Sequence, residues 1–104
     1  MSDAKRDAGA DITYEKSSFY IKGPLDFATV VNIWNKSLSF LPNHPAYSFD
    51  LSQVTSVNSA ALALLIEWWK YAKKHKKAIS FKNIPEQLIS IAAVAGIEKE
   101  IFTG

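Results

Sequence analysis

The chain has 104 residues, a net charge of +2 and no cysteine, which is length enough for one domain with one modest core and excludes disulfides, thiolate catalysis and Cys-ligated zinc. Its longest apolar run, Ala60 to Ile66, is far below the ~20 residues needed to span a bilayer, and its polar start lacks the apolar segment of a signal peptide. A cytoplasmic protein is expected, and so mild a positive charge does not by itself imply a nucleic-acid partner.

Residues 1–11 are polar without periodicity and are expected to form a loose tail, leaving a single domain over residues 12–104. Ile12, Tyr14, Phe19 and Ile21 alternate with polar residues on either side of Lys16-Ser17-Ser18, which predicts a hairpin that Gly23-Pro24 then breaks. Asp26 is placed as the N-cap of a first helix, because Phe27, Val30, Val31, Trp34 and Leu38 recur at spacings of three and four, with Asn32, Asn35 and Lys36 on the polar side. Pro42, His44 and Pro45 dictate an irregular loop.

Tyr47 to Leu51 reads as a short buried strand, followed by a polar turn from Ser52 to Asn58 with Val54 and Val57 pointing inward. A second helix starts at Asn58 or Ser59 and runs to about His75, where Lys73, Lys74, Lys76 and Lys77 suit the negative end of the helix dipole. Ala78 to Phe81 is a further strand with Ile79 and Phe81 on one face. Pro85 fits the first turn of a last helix whose stripe is Leu88, Ile89, Ala92 and Ala93, and Gly96 fits its C-cap. Ile97 to Phe102 either packs on the core or adds an edge strand. The order predicts an α/β fold, a mixed sheet of four to five strands with the helices largely on one face.

The second helix is more apolar than a surface helix requires. At ~100° per residue, Leu62, Leu65, Ile66, Trp69 and Ala72 share one arc, and Ala61, Leu64, Trp68 and Tyr71 widen it to roughly 220°. One reading has neighbouring helices covering both shoulders, since aromatic stripes are mostly core. The other makes Ala61, Leu64, Trp68 and Tyr71 part of an exposed partner-binding face.

No metal-ligand spacing and no phosphate-binding glycine loop occurs, and His44 and His75 stand apart from any serine or carboxylate partner in sequence. No enzyme activity and no cofactor is expected. Lys70, Lys73, Lys74, Lys76, Lys77 and Lys82 would suit nucleic acid only with a strand motif that is absent, so no nucleic acid is expected; the same lysines suit the anionic inner face of a membrane.

The run from Asp50 to Leu62, DLSQVTSVNSAAL, resembles the signature of STAS domains, in which a strand ending Asp-Leu-Ser leads to an Asp-Ser-Ser-Gly-Leu-like turn at a helix start. Asn58 stands where that family has Asp, Ser59 where it has a phosphorylatable Ser or Thr, Ala60 and Ala61 at the small residues, and Leu62 at the Leu. Asn58 and Ala61 depart from the pattern of anti-sigma-factor antagonists. A STAS protein of this length with such a motif is most similar to the small subunit of the bacterial lipid-asymmetry (Mla) ABC transporter. That resemblance implies a non-enzymatic cytoplasmic accessory subunit, peripheral to the inner membrane in its complex, that binds the ATPase subunit of a phospholipid transporter. The alternative it implies is an anti-sigma-factor antagonist controlled by a kinase that phosphorylates Ser59. Either way Thr55, Asn58 and Ser59 would form a polar contact surface beside Ala61, Leu64, Trp68 and Tyr71.

Overall fold

The structure, a computed structural model, describes residues 9–97 and 100–103. The hairpin of β1 (Asp11–Glu15) and β2 (Ser18–Leu25) forms as expected, with Ile12 opposite Ile21 and Tyr14 opposite Phe19. Its turn places Lys16 and Ser17 at φ 51° and 66°, the left-handed pair of a type I′ turn that matches the twist of the strands. The expected tail 1–11 is shorter by its last residues, because Ala10 is buried and Asp11 opens β1; residues 1–8 lie outside the described residues.

Gly23-Pro24 does not end β2. The strand continues to Leu25 through a register shift between Gly23 and Pro24, an irregularity of the kind that accommodates a proline lacking its ladder donor. Gly23 has a φ of 85°, and a Cβ there would lie 2.2 Å from the carbonyl oxygen of Gly9. Only glycine fits that crossing.

The longer β2 lengthens its neighbour. β3 runs Ala46–Val57, so the stretch expected as a polar turn is strand up to Val57. Gln53, Val54, Ser56 and Val57 pair with Lys22, Gly23, Pro24 and Leu25, and these ladder bonds hold the backbone extended whatever its polar side chains prefer. With β4 (Ala78–Lys82) the sheet has four strands in the order β1-β2-β3-β4, β1 antiparallel and the other pairs parallel.

Helices α1 (Val30–Ser37), α2 (Ser59–Lys74) and α3 (Glu86–Val94) follow β2, β3 and β4. Phe19, Ile21, Phe49, Leu51, Ile79 and Phe81 are buried on the helix side, while Lys22, Ser52 and Lys82 are exposed. Phe49 is the centre of the core: it stacks on Trp68 of α2 at 4.1 Å and on Phe19 and Phe81 at 5.2 and 5.5 Å. Among the described residues the C-terminal segment adds no strand; it contains the short helix α4 (Glu100–Thr103), whose Ile101 and Phe102 pack on the core.

Two helices begin differently from expectation. Asp26 does not cap α1. Its carboxylate accepts the Ala28 N–H at 2.9 Å, its carbonyl accepts from Thr29 and Val30, and the Thr29 hydroxyl donates to the Pro24 carbonyl at 2.9 Å. That local turn delays the helix to Val30 and turns Phe27 outward, so the buried residues of α1 are Ile33 and Ser37. Pro85 is the N-cap of α3 and lies outside its first turn; Leu88 and Ala92 are buried as expected, whereas Ile89 and Ala93 are exposed. Gly96 follows the C-cap at φ 77°, with the Ile97 and Gly96 N–H groups donating to Ala92 and Ala93, a Schellman ending.

Candidate functional site

The carboxyl ends of β2 and β3, paired at Leu25 and Val57, bring two connections to one edge of the domain: the turn at 26–29 and Asn58. In open sheets of this kind, binding sites sit at that edge. Asn58 is extended, and its Oδ1 accepts the Ala60 N–H at 2.8 Å. It thereby satisfies one of the orphan donors of α2, as the sequence suggested. Ser59 is the first residue of α2 and is exposed; among the described residues no side-chain hydrogen bond occupies its hydroxyl. Thr55 is exposed on β3.

The apolar half of the expected contact surface lies elsewhere. Ala61 and Trp68 are fully buried and Leu64 is 4% exposed, which corrects their placement on an exposed face. Trp68 is held between Phe49 and Ser37, whose hydroxyl accepts its indole N–H at 2.9 Å. The surplus hydrophobicity of α2 is therefore consumed by neighbours, α1 on one shoulder and α3 on the other. Tyr71 is half-buried, with its ring against Trp34 at 6.2 Å and His75 at 4.2 Å.

Among the exposed large apolar residues, which include Val94 at 91% and Ile89 on α3 and Tyr14 on β1, Phe27 and Val31 lie near Ser59, at 73% and 61%. They stand on the lip of a groove of about 290 Å³ between α1 and α2. Val30 and Trp34 form its α1 wall, and Ala60, Ala63 and Leu64 its α2 wall, which Glu67 closes at the far end. The groove begins next to Ser59, so the polar turn and the apolar groove are contiguous. Sequence periodicity assigned Phe27 and Val31 to the inward stripe; the signal that could have freed them is Thr29, a second polar capping residue three positions after Asp26.

A strand carrying Asp-Leu-Ser, a cap and a serine at the start of a long helix is thus present in space as well as in sequence, and a family model described as Mlab, STAS domain matches residues 8–103. The chain belongs to this family of MlaB-like STAS domains. No curated protein matches the chain.

Within this STAS domain, Asp50 lies earlier on β3, opposite Lys82, and ties the end of β4 to that strand. One oxygen accepts the Ser52 N–H at 2.8 Å and the other the side-chain amide of Asn83 at 3.1 Å, a residue with a left-handed φ of 56°. Burial raises the Asp50 pKa, but the hydrogen bonds from Ser52 and Asn83, with the charge of Lys82, outweigh it and leave it below the usual 3.8.

The lysines do not gather as one surface in the STAS domain. Lys77 donates to the His44 carbonyl at 2.6 Å, Lys73 lies over the Trp69 ring at 5.2 Å, and Lys82 stands at the other end of β4. Lys70 and Lys74 border a second section of the groove below Trp34. His44 packs on Tyr14 at 4.1 Å and His75 on Tyr71. Among the described residues no group of His, Cys, Asp or Glu could hold a metal ion, and no helix is long and apolar enough to cross a membrane.

Proposed function

We propose that this STAS domain is a non-enzymatic docking subunit that binds the cytoplasmic ATPase of a phospholipid-transporting ABC system and is held near the inner membrane through that complex. Membership of the MlaB-like family supports the reading. The observation that carries it is the pair Phe27 and Val31, large apolar side chains at 73% and 61% exposure beside the Asn58–Ser59 turn. Neighbouring exposed apolar residues on a groove mark an interaction site, and a polar rim of Thr55, Asn58 and Ser59 is what such interfaces place around their apolar centre.

The test is affinity purification of the tagged chain from its native cells, beside a Phe27→Asp, Ser59→Glu variant. Both positions are exposed, so the variant should fold; Trp68→Ala, by contrast, would report on the core. An ABC ATPase recovered with the wild type and lost with the variant upholds the reading. Recovery of no ATPase overturns it.

A second reading, an anti-sigma-factor antagonist switched by a kinase, is favoured by one observation. Among the described residues nothing hydrogen-bonds the Ser59 hydroxyl, which lies at the positive end of a 16-residue helix, where a phosphate is electrostatically welcome and would alter anything docked there. Recovery of a kinase-like anti-sigma factor, with an added phosphate in the intact mass, would establish it. A chain that never carries phosphate under any growth condition removes it.

A further inference from the structure

The groove changes character along its length. Above Trp34 it is apolar, about 290 Å³, with Phe27 and Val31 on its lip; below Trp34 it continues as a section of about 220 Å³ bordered by Glu67, Lys70, Tyr71 and Lys74. Trp34 and Glu67 border both sections, the Trp34 ring lying edge to Tyr71 at 6.2 Å. Lys70 reaches Glu67 only at 3.7 Å, with both side chains more than half exposed, a pairing too weak to hold it. Lys74 makes no ion pair among the described residues.

We propose that this groove receives an amphipathic helix of the partner, its apolar side chains in the upper section and carboxylates of its first turn against Lys70 and Lys74. The inference rests on the docking reading for the purpose of the site, but not for its chemistry. Three features select a helix. The upper section is open and sits at the small end of the ~300–1,000 Å³ that enclose a small molecule, so it suits side chains projecting from a rod rather than a swallowed ligand. From Ala60 to Lys74 the α2 wall extends roughly 21 Å at 1.5 Å per residue, the length of about four turns of a partner helix. The lower section sets two lysines against one glutamate, a surplus of positive charge that calls for acids. Acidic residues are most stable in the first turn of a helix, so the partner enters with its N-terminus at Lys74 and its C-terminus at Phe27, antiparallel to α2.

The probe is an acetylated helix-favouring peptide of about four turns, with two glutamates in its first turn and leucines spaced three and four apart. It is titrated into the ¹⁵N-labelled full chain. The expected result is shifts at the Phe27, Val31 and Ala63 amides and at the Trp34 indole, with the Trp68 indole unmoved in its bond to Ser37. Lys70→Glu, Lys74→Glu should weaken binding about tenfold, equivalent to about 1.4 kcal/mol, and a peptide carrying lysines in place of the glutamates should recover binding to that variant alone.

Equal binding of both peptides to wild type, or shifts elsewhere, overturns the inference. So does protection of the groove by self-association in sedimentation, which gives it to a second copy, or displacement of the peptide by decanoate, which gives it to an acyl chain. Capture of the ATPase that is lost with Phe27→Asp, Ser59→Glu but indifferent to the peptide and to the lysine variant leaves the docking reading standing and sinks the helix. Peptide binding as described without capture of an ATPase does the reverse.

Discussion

Replacing Ser37 by alanine isolates the bond that sets α1 against α2. The Trp68 indole N–H donates to the Ser37 hydroxyl at 2.9 Å, and that hydroxyl donates to the Trp34 carbonyl at 2.6 Å. Both residues have no exposed surface, so no solvent can substitute for the lost acceptor. An unpaired buried donor costs about 1–3 kcal/mol, and the rigid indole, clamped on Phe49, cannot swing out to find another. Ser37→Ala should therefore lower stability by about 2 kcal/mol, a fall in Tm of roughly 8–16 °C for a domain of this size. Urea unfolding followed by far-UV circular dichroism measures it without depending on tryptophan emission. On a Trp68→Phe background, where no indole N–H remains, the same substitution should cost less than about 1 kcal/mol. An unchanged cost in both backgrounds, or a single-variant loss under about 0.5 kcal/mol, refutes the clamp. Because the same bond fixes the spacing of the groove walls, the variant should also weaken peptide binding at temperatures where it remains folded.

Gly23→Ala should cost more than about 2 kcal/mol in the same assay, since left-handed backbone strain adds to a Cβ placed on the Gly9 carbonyl oxygen, and hydrogen exchange at Ala10 should rise with it. Lys76, at φ 57°, occupies the C′ position of α2, with Lys77 and Lys76 donating back to Ala72 and Lys73; Lys76→Gly should stabilise by about 1 kcal/mol, seen as a higher urea midpoint. Asn58→Ala should lose about 1 kcal/mol of cap energy, while Asn58→Asp should lose none. Asp50 has a folded-state pKa below 3.8, so its contribution is complete above that value and disappears as pH falls through the folded-state pKa. Thermal scans between roughly pH 5 and pH 2 should therefore show a shallower loss for Asp50→Asn than for wild type.

The parts of the fold legible in the sequence are those where local chemistry and tertiary pairing agree. Asn58 followed by Ser59 and an apolar run is a helix start by capping and by burial alike, and α2 forms there. Ile79 and Phe81 alternate with polar neighbours and lie where alternation puts them. The misreadings fall where tertiary pairing decides. Gln53 and Ser56 are turn-like by composition but are strand because β2 offers them a ladder, and Thr55 is carried between them at the register shift. Asp26 is a good capping residue whose carboxylate is claimed by a tighter local turn, and the three-residue delay in α1 puts Phe27 in solvent. Periodicity located the apolar arc of α2 without telling what covers it, so Trp68 could be read as core or contact until α1 and Ser37 were in place.

That division matters for where binding can reside. A residue at full burial contributes to every state of the domain, bound or free, so Trp68, Ala61 and Phe49 would shape the proposed docking surface without being part of it. Phe27 and Val31 bury little in the free domain and gain most on being covered, which makes them the side chains whose removal from water can drive association. In the proposed interface, exposed Ser59 would supply a polar group that must be matched rather than merely covered, and so would restrict what can dock. Depth within the same pair of helices thus separates stability from recognition: Ser37 and Trp68 hold α1 on α2, and the turn from Asp26 to Thr29, by refusing Phe27 a place in the helix, gives that pair an apolar edge to offer.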